Sequence, residues 1–387
     1  MGMNTKKCMK KSIISIMIKL ILGLLNIIYR FYKRSSVKDQ VVFISRETDE
    51  ISLDFQLIAS ELKKASSGTG IIFLCRTIPK GFLGKIGYGF HIFRQMKVIS
   101  SSRVVILDTY CFAVSALEQR SELIVIQLWH AMGALKQFGW SIVGKPEGRD
   151  PLIAKLLYMH RNYTYFCVSS ENCITGFSAA FGYNNGGVNY DGENHALVAP
   201  LPRVEYYRNK EFVSQYGQRV FNKYPKWKDG KLVVFFPTYR ANCDIDNKIE
   251  EMRDALPGYR LLTKYHPITQ SDKREIGCDF STYELLCAAD YIILDYSAVV
   301  YEAAFLEKPI IFYPFDYERY VETRDFYVDY MEEMPGPIAK NPAEIAELLR
   351  ENRFDIERIR RFRDKWVDST ELGKSKIISL LSDKEGI

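Results

Sequence analysis

Short, wholly apolar runs alternate along the chain with stretches of helical spacing. Residues 41–45, 71–75, 104–107, 123–128, 165–168 and 196–199 read as strands. Leu53, Leu57, Ile58 and Leu62 share one helical face between the first two, and 151–158 and 171–181 read as helices further on. After a polar, aromatic and basic stretch, 206–229, the pattern resumes with strands at 231–236, 259–265, 290–295 and 309–313. Strands that are apolar on both faces, joined by helices, predict α/β architecture with parallel sheets. The interruption predicts two such units, 37–208 and 229–387.

The amino-terminal segment breaks this rhythm. Lys6, Lys7, Lys10 and Lys11 precede an apolar run, 13–32, closed by Lys33 and Arg34. No small-residue cleavage site follows, which argues against a signal peptide. The run is long enough to span a bilayer. However, Ser12, Ser15, Lys19, Gly23, Asn26, Arg30 and Lys33 recur at three- and four-residue steps, forming one polar stripe. The expectation for 1–36 is therefore a basic amphipathic helix lying in an anionic membrane surface, with a single span as the second reading and a merely protein-packed helix as the third.

Composition changes the picture in three ways. At 387 residues the chain is long for a single core, and 47% apolar with 26% charged residues describes a folded protein. A net charge of +6 suits an anionic partner. The eight cysteines are scattered with no CxxC pair, implying a reducing compartment and no structural zinc.

Candidate chemistry gathers where strands end. His130 follows the fourth run in a loop with Gly133 and Gly139, a position that suits either a general base or a structural histidine. Lys136 in the same loop reads as a solvated or phosphate-facing charge. Arg203 follows a proline-stiffened exit and suits a phosphate fork, although a plain surface arginine is the commoner outcome. In the second unit Thr238 and Arg240, Lys264 and His266, and Ser297 sit at three successive exits and would line a common rim. Ser297 is the expected N-cap of a helix over 298–307, where it either only caps or also offers a hydroxyl to an anion. These groups suggest a cleft, with His130 on one wall and Arg240, His266 and Ser297 on the other. His91, His160 and His195 show no pattern of metal ligands.

Five motifs in order carry a family resemblance from about residue 127 to 337. WHAMGALKQFG resembles WHGTPLKKxG, PLPR resembles GxPRND, FFPTYR resembles PTWR/PTYR, and KYHP resembles an HP motif. ILDYSAVVYEAAFLEKPIIFYPFDYERY with FYVDYMEEMPGP resembles the last block of the CDP-glycerol:glycerophosphate glycerophosphotransferase family of teichoic acid and capsule synthesis. The resemblance implies a GT-B-like fold, two Rossmann-like domains with parallel sheets facing a cleft. It implies transfer of glycerol phosphate or ribitol phosphate from a CDP-linked donor to a hydroxyl of a lipid-linked acceptor, releasing CMP. By motif, His130 is the base and His266 contacts the donor phosphates. Arg203, Thr238, Arg240, Lys264, Ser297, Ala298 and Glu302 fall at donor-side positions. The implied partners are a CDP-polyol donor, a polyprenyl-linked acceptor and an anionic membrane surface at the cytoplasmic face of a bacterial membrane, with no nucleic acid. No protein metal site or cofactor is implied, and a divalent ion carried by the donor is left open.

The departures are local. Ala131 replaces a glycine; Met132, Gly133 and Ala134 replace the Thr-Pro context; Val204 and Glu205 replace Asn-Asp; Ala298 replaces a second serine. Two alternatives stay open: a GT-B glycosyltransferase using a nucleotide sugar, and an inactive membrane-anchored binding module.

Overall fold

A computed structural model describes residues 2–240, 244–265, 279–367 and 372–385. Its first sheet contains β1 (Lys38–Ser45), β2 (Gly70–Cys75), β3 (Ser102–Leu107), β4 (Ile124–Gln127), β5 (Tyr165–Val168) and β6 (Ala196–Val198). The second contains β7 (Lys231–Phe236), β8 (Tyr259–Thr263), β9 (Tyr291–Leu294) and β10 (Ile310–Phe312). Each expected strand is present, and the pairs are parallel. The cause is the continuous apolar run: Val41, Val42, Phe43 and Ile44 are all buried, so helices must cover both faces of β1.

Strand order positions the site. The first sheet runs β2-β1-β3-β4-β5-β6 and the second β10-β9-β7-β8. The chain reverses direction across the sheet between β1 and β3, and again between β9 and β7. Such switch points leave a crevice beyond the carboxyl ends of the strands, where ligands sit in open α/β sheets.

The stretch expected to separate the two units is helical, with helices Val204–Arg208 and Lys210–Lys223. The second of these packs on the helix Thr282–Ala288 beside β7. Helix Ile356–Trp366 packs on Val299–Phe305, while the last helix, Gly373–Glu385, returns to Leu53–Ala65 of the first half. Lys374 pairs there with Glu61 at 3.7 Å, and with Glu205 of the helix Val204–Arg208 at 2.8 Å. One apolar core consequently runs through both sheets, and a smaller cluster covers the far face of the second.

The amino-terminal helix Gly2–Tyr32 is long and apolar enough to cross a membrane, yet it lies against the first half. Polar groups make much of that contact. The Asn26 side chain accepts from the Glu118 amide at 2.9 Å, Arg30 pairs with Glu118 at 2.8 Å, and the Tyr29 hydroxyl donates to Gln119 at 2.6 Å. Ile13, Ile16, Met17, Leu20, Ile21, Leu24, Ile27 and Phe31 are left exposed along one stripe. A second apolar stripe, missed in the sequence, lies on the adjoining helix Phe82–Ile99, where Phe82 is 79%, Leu83 82% and Phe90 73% exposed.

Candidate functional site

Two adjoining pockets open where the strand exits of the two sheets meet. One, about 420 Å³, is lined by His130, Ala131, Lys136, Arg203, Thr282, Ser297, Ala298, Glu302 and Arg324 among others. The other, about 350 Å³, reaches the switch point of the first sheet through Arg46, Tyr110 and Arg149, and includes Thr238 and Tyr239. Trp129, His130, Lys136, Phe138 and Arg324 border both.

The loop after β4 sets the histidine. Trp129 turns through a left-handed backbone (φ 59°) and lays its ring 4.8 Å from Phe138 and 4.4 Å from His130. The His130 Nδ1 lies 3.1 Å from the Asp108 carbonyl oxygen. A carbonyl only accepts, so Nδ1 carries the proton and Nε2 keeps its lone pair. His130 is solvent-exposed on the pocket side, and the protein packed behind the ring, its largest influence, lowers the pKa from 6.5, while nearby Glu47 opposes that shift. The ring is thus neutral near pH 7 and opens onto the pocket, the state a general base needs.

Arg203 is committed within the protein. Its backbone N–H and guanidinium meet Asp54 at 2.8 and 3.1 Å, while Nη2 reaches Glu302 at 3.2 Å and donates to the His130 carbonyl at 2.7 Å. It therefore ties the histidine loop to a helix from each half. Burial alone would lower its pKa, but the two carboxylates hold it above the usual value. Burial raises the pKa of Glu302, against the pull of Arg203. Asp54 is the partner the sequence reading missed.

Across the pocket, Asp295 is wholly buried and accepts from the Thr238 N–H at 2.8 Å and the Tyr296 N–H at 2.5 Å. Arg240 meets Asp295 and Asp316, each at 2.9 Å, with its guanidinium over the rings of Tyr296 and Phe315. It lines neither pocket; it braces the second switch point from behind. Lys264 also stands away from both pockets, its ammonium donating to the Phe280 carbonyl at 2.5 Å. His266 lies outside the described residues.

Ser297 borders the larger pocket, but the N-cap is Ala298, which already has helical dihedrals (φ −65°, ψ −6°). The helix is Val299–Phe305, shorter than expected at both ends, and Ser297 Oγ accepts from the Val299 N–H at 3.4 Å. Thus His130, Arg203, Ser297, Ala298 and Glu302 come together, and Thr238 joins His130 in the second pocket.

Lys136 and Arg324 stand between the pockets. A bridge between Lys136 and Phe326, with the Gln137 N–H on the Asp325 carbonyl (3.0 Å) and the Tyr327 N–H on the Leu135 carbonyl (3.0 Å), straps the histidine loop to the FYVDY segment. Burial, aided by Arg324, lowers the Lys136 pKa to about 7. Arg46 and Asp108 follow β1 and β3 directly. Both stand directly after apolar runs, the same sequence signal that marks His130.

Two parallel sheets, their switch points opening onto shared pockets, define an α/β protein with its site between strand exits. The chain belongs to the CDP-Glycerol:Poly(glycerophosphate) glycerophosphotransferase family, whose model matches residues 27–378. It is 31% identical to a teichoic acid ribitol-phosphate primase of Bacillus spizizenii over 354 residues, 87% of this chain and 88% of that one. A teichoic acid poly(ribitol-phosphate) polymerase of the same species is 29% identical over 89% of this chain, which spans only 56% of that longer protein. The solved structure of the wall teichoic acid polymerase TagF superposes with a TM-score of 0.71 at 18% identity, covering 98% of each chain, and shows the shared fold.

Proposed function

We propose that this protein transfers a polyol phosphate from a CDP-linked donor to a hydroxyl of a lipid-linked acceptor in teichoic acid or related cell-surface polymer synthesis. The observation that carries the reading is the neutral His130 tautomer between two cation-bordered pockets. His130 Nε2 takes the acceptor proton as the acceptor oxygen attacks the phosphorus bearing the polyol. The bond from that phosphorus to the bridging oxygen breaks, and CMP leaves with that oxygen. Lys136 and Arg324 offset the charge that develops on the phosphoryl oxygens and on the departing CMP.

The larger pocket takes the donor, with Ser297, Ala298 and Thr282 against its phosphates; His266, by motif, would join them. Glu302 and Arg203 hold the histidine loop rather than the donor, and Thr238 and Arg240 shape the facing wall. The architecture is GT-B-like, with Rossmann-like domains at 37–208 and 229–387 facing a cleft and the last helix crossing back. Residues 1–36 seat the protein on the cytoplasmic face of the membrane, their exposed apolar stripe continuing onto Phe82, Leu83, Ile86 and Phe90.

The test is donor choice. Full-length protein is incubated with CDP-glycerol, CDP-ribitol or UDP-sugars beside a lipid-linked acceptor. CMP release and acceptor extension with a CDP-polyol are expected, and sugar transfer from a UDP donor would refute the reading.

A further inference from the structure

We propose that His160 is a specificity-determining residue of the transfer, donating a hydrogen bond from Nε2 to a second, non-reacting hydroxyl of the acceptor while His130 attends the attacking one. The inference rests on the transfer reading above and adds to it a residue that tells one acceptor hydroxyl pattern from another.

His160 borders the same pocket as His130, and a buried chain of hydrogen bonds fixes its tautomer. The Trp129 N–H can only donate, and it meets Gln127 Oε1 at 2.9 Å, which sets the amide. Gln127 Nε2 then donates to the Thr109 carbonyl and to the Tyr163 hydroxyl, each at 3.0 Å. The Tyr163 hydroxyl in turn gives its own hydrogen to His160 Nδ1 at 2.9 Å; were Nδ1 protonated, that buried hydroxyl would have no acceptor. Nε2 therefore carries the ring hydrogen. Gln127, Tyr163 and His160 are 0%, 2% and 3% exposed, so solvent does not compete for the chain.

Among the described residues no protein acceptor meets Nε2, and the rings of Tyr110, Trp129 and Phe181 pack around the imidazole at 5.5, 6.0 and 4.9 Å. Burial lowers its pKa to about 3, so near pH 7 it is a neutral donor and not a base. The backbone is committed to the same end. His160 has a left-handed φ of 62°, with Tyr158 at 48° and Asn162 at 69°, and the Asn162 side chain holds the turn through the Val114 and Leu117 carbonyls at 2.8 and 3.0 Å. Such conformations are costly and cluster where a side chain must be aimed. One neutral N–H framed by aromatic rings suits one hydroxyl of a polyhydroxy compound, whose C–H faces pack on those rings. Trp129 touches both histidines, 4.4 Å from His130, so the two hydroxyls belong to one acceptor unit.

The test uses the full-length chain with its CDP-polyol donor and two soluble acceptors, butyl glyceryl phosphate and butyl 3-hydroxypropyl phosphate, which differ only in the secondary hydroxyl. The wild type is expected to favour the diol by about tenfold in kcat/KM. H160F should bring that preference to about one, with the KM for the CDP-polyol within about threefold of wild type, and H160Q, which keeps an N–H, should retain part of it. Equal use of both acceptors by the wild type overturns the proposal, as does an H160F loss equal for the two. A chain that transfers from no CDP-polyol to any acceptor sinks the transfer reading instead. Selective ¹⁵N-histidine NMR judges His160 without turnover, H160Q assigning its signal. A neutral Nε2–H imidazole whose signal moves with the diol and not with its deoxy counterpart retains the proposal; an Nδ1–H tautomer, or a signal that answers both alike or neither, removes it.

Discussion

Replacing Arg203 by Met separates a residue that holds the site from one that grips the donor. The guanidinium meets Asp54 at 3.1 Å, Glu302 at 3.2 Å and the His130 carbonyl at 2.7 Å, with only 21% of its side chain exposed. Removing it strands two carboxylates, 7% and 12% exposed, without their cation. Loss of one partner from a buried ion pair costs about 3–5 kcal/mol. Glu302 can take up a proton, its pKa being already raised by burial, so the lower end of that range is expected. Urea unfolding should show the loss, and R203M/E302Q should be more stable than the sum of the two single effects, because it no longer strands that charge. Turnover should fall as the histidine loop loosens, while the dissociation constant for the CDP-polyol stays within about threefold of wild type. An unchanged urea midpoint with donor affinity weakened about tenfold or more would place the guanidinium on the donor phosphate and refute this account.

Other outcomes follow from the same geometry. His130→Gln should lower turnover by about a hundredfold or more with donor binding retained, measured by single-turnover CMP release and donor titration. Activity should rise with pH as His130 loses its proton below 6.5 and fall as Lys136 loses its own near 7; K136R should move the alkaline limb upward. An alkaline limb unmoved in K136R counts against the cation. A Cβ on Gly133 would overlap the Tyr301 ring, so G133A should destabilise the protein in urea and Y301A should restore part of that loss. His160 is buried neutral, with a pKa lowered from 6.5 to about 3 by burial. Its contribution to stability is complete above pH 6.5 and lost as pH falls toward 3, at about 1.4 kcal/mol per pH unit, and a flat urea midpoint across that window rules it out.

The strands were legible because each is an unbroken apolar run, a pattern that periodicity and length resolve without tertiary information. His130 and Ser297 were legible for a related reason: polar residues directly after such runs must face the carboxyl edge of the sheet. Side-chain commitment was not legible. PLPR looks like a free phosphate fork until Asp54, 149 positions away in the chain, accepts its hydrogen bonds. Arg240 likewise follows a strand exit, yet three aromatic rings and two aspartates draw it behind the site. The stripe on Phe82–Ile99 escaped notice because exposure, not composition, sets it apart.

The Gly133 departure from the family motif has a packing cause. Tyr301, buried in the helix after β9, fills the space a side chain at 133 would need, so the loop from the first half seats directly on the second. The FYVDY strap holds the next turn of the same loop through paired backbone hydrogen bonds, and Arg203 holds its start. Two contacts from the second half, and Arg203 from the first, thus determine where His130 and Lys136 stand. A shift between the halves cannot leave the base in place while moving the donor wall; it must move the loop with it or break those contacts. The fit between acceptor and donor pockets is therefore a property of this one loop, which explains why a glycine and a strap motif far apart in the chain belong to the same site.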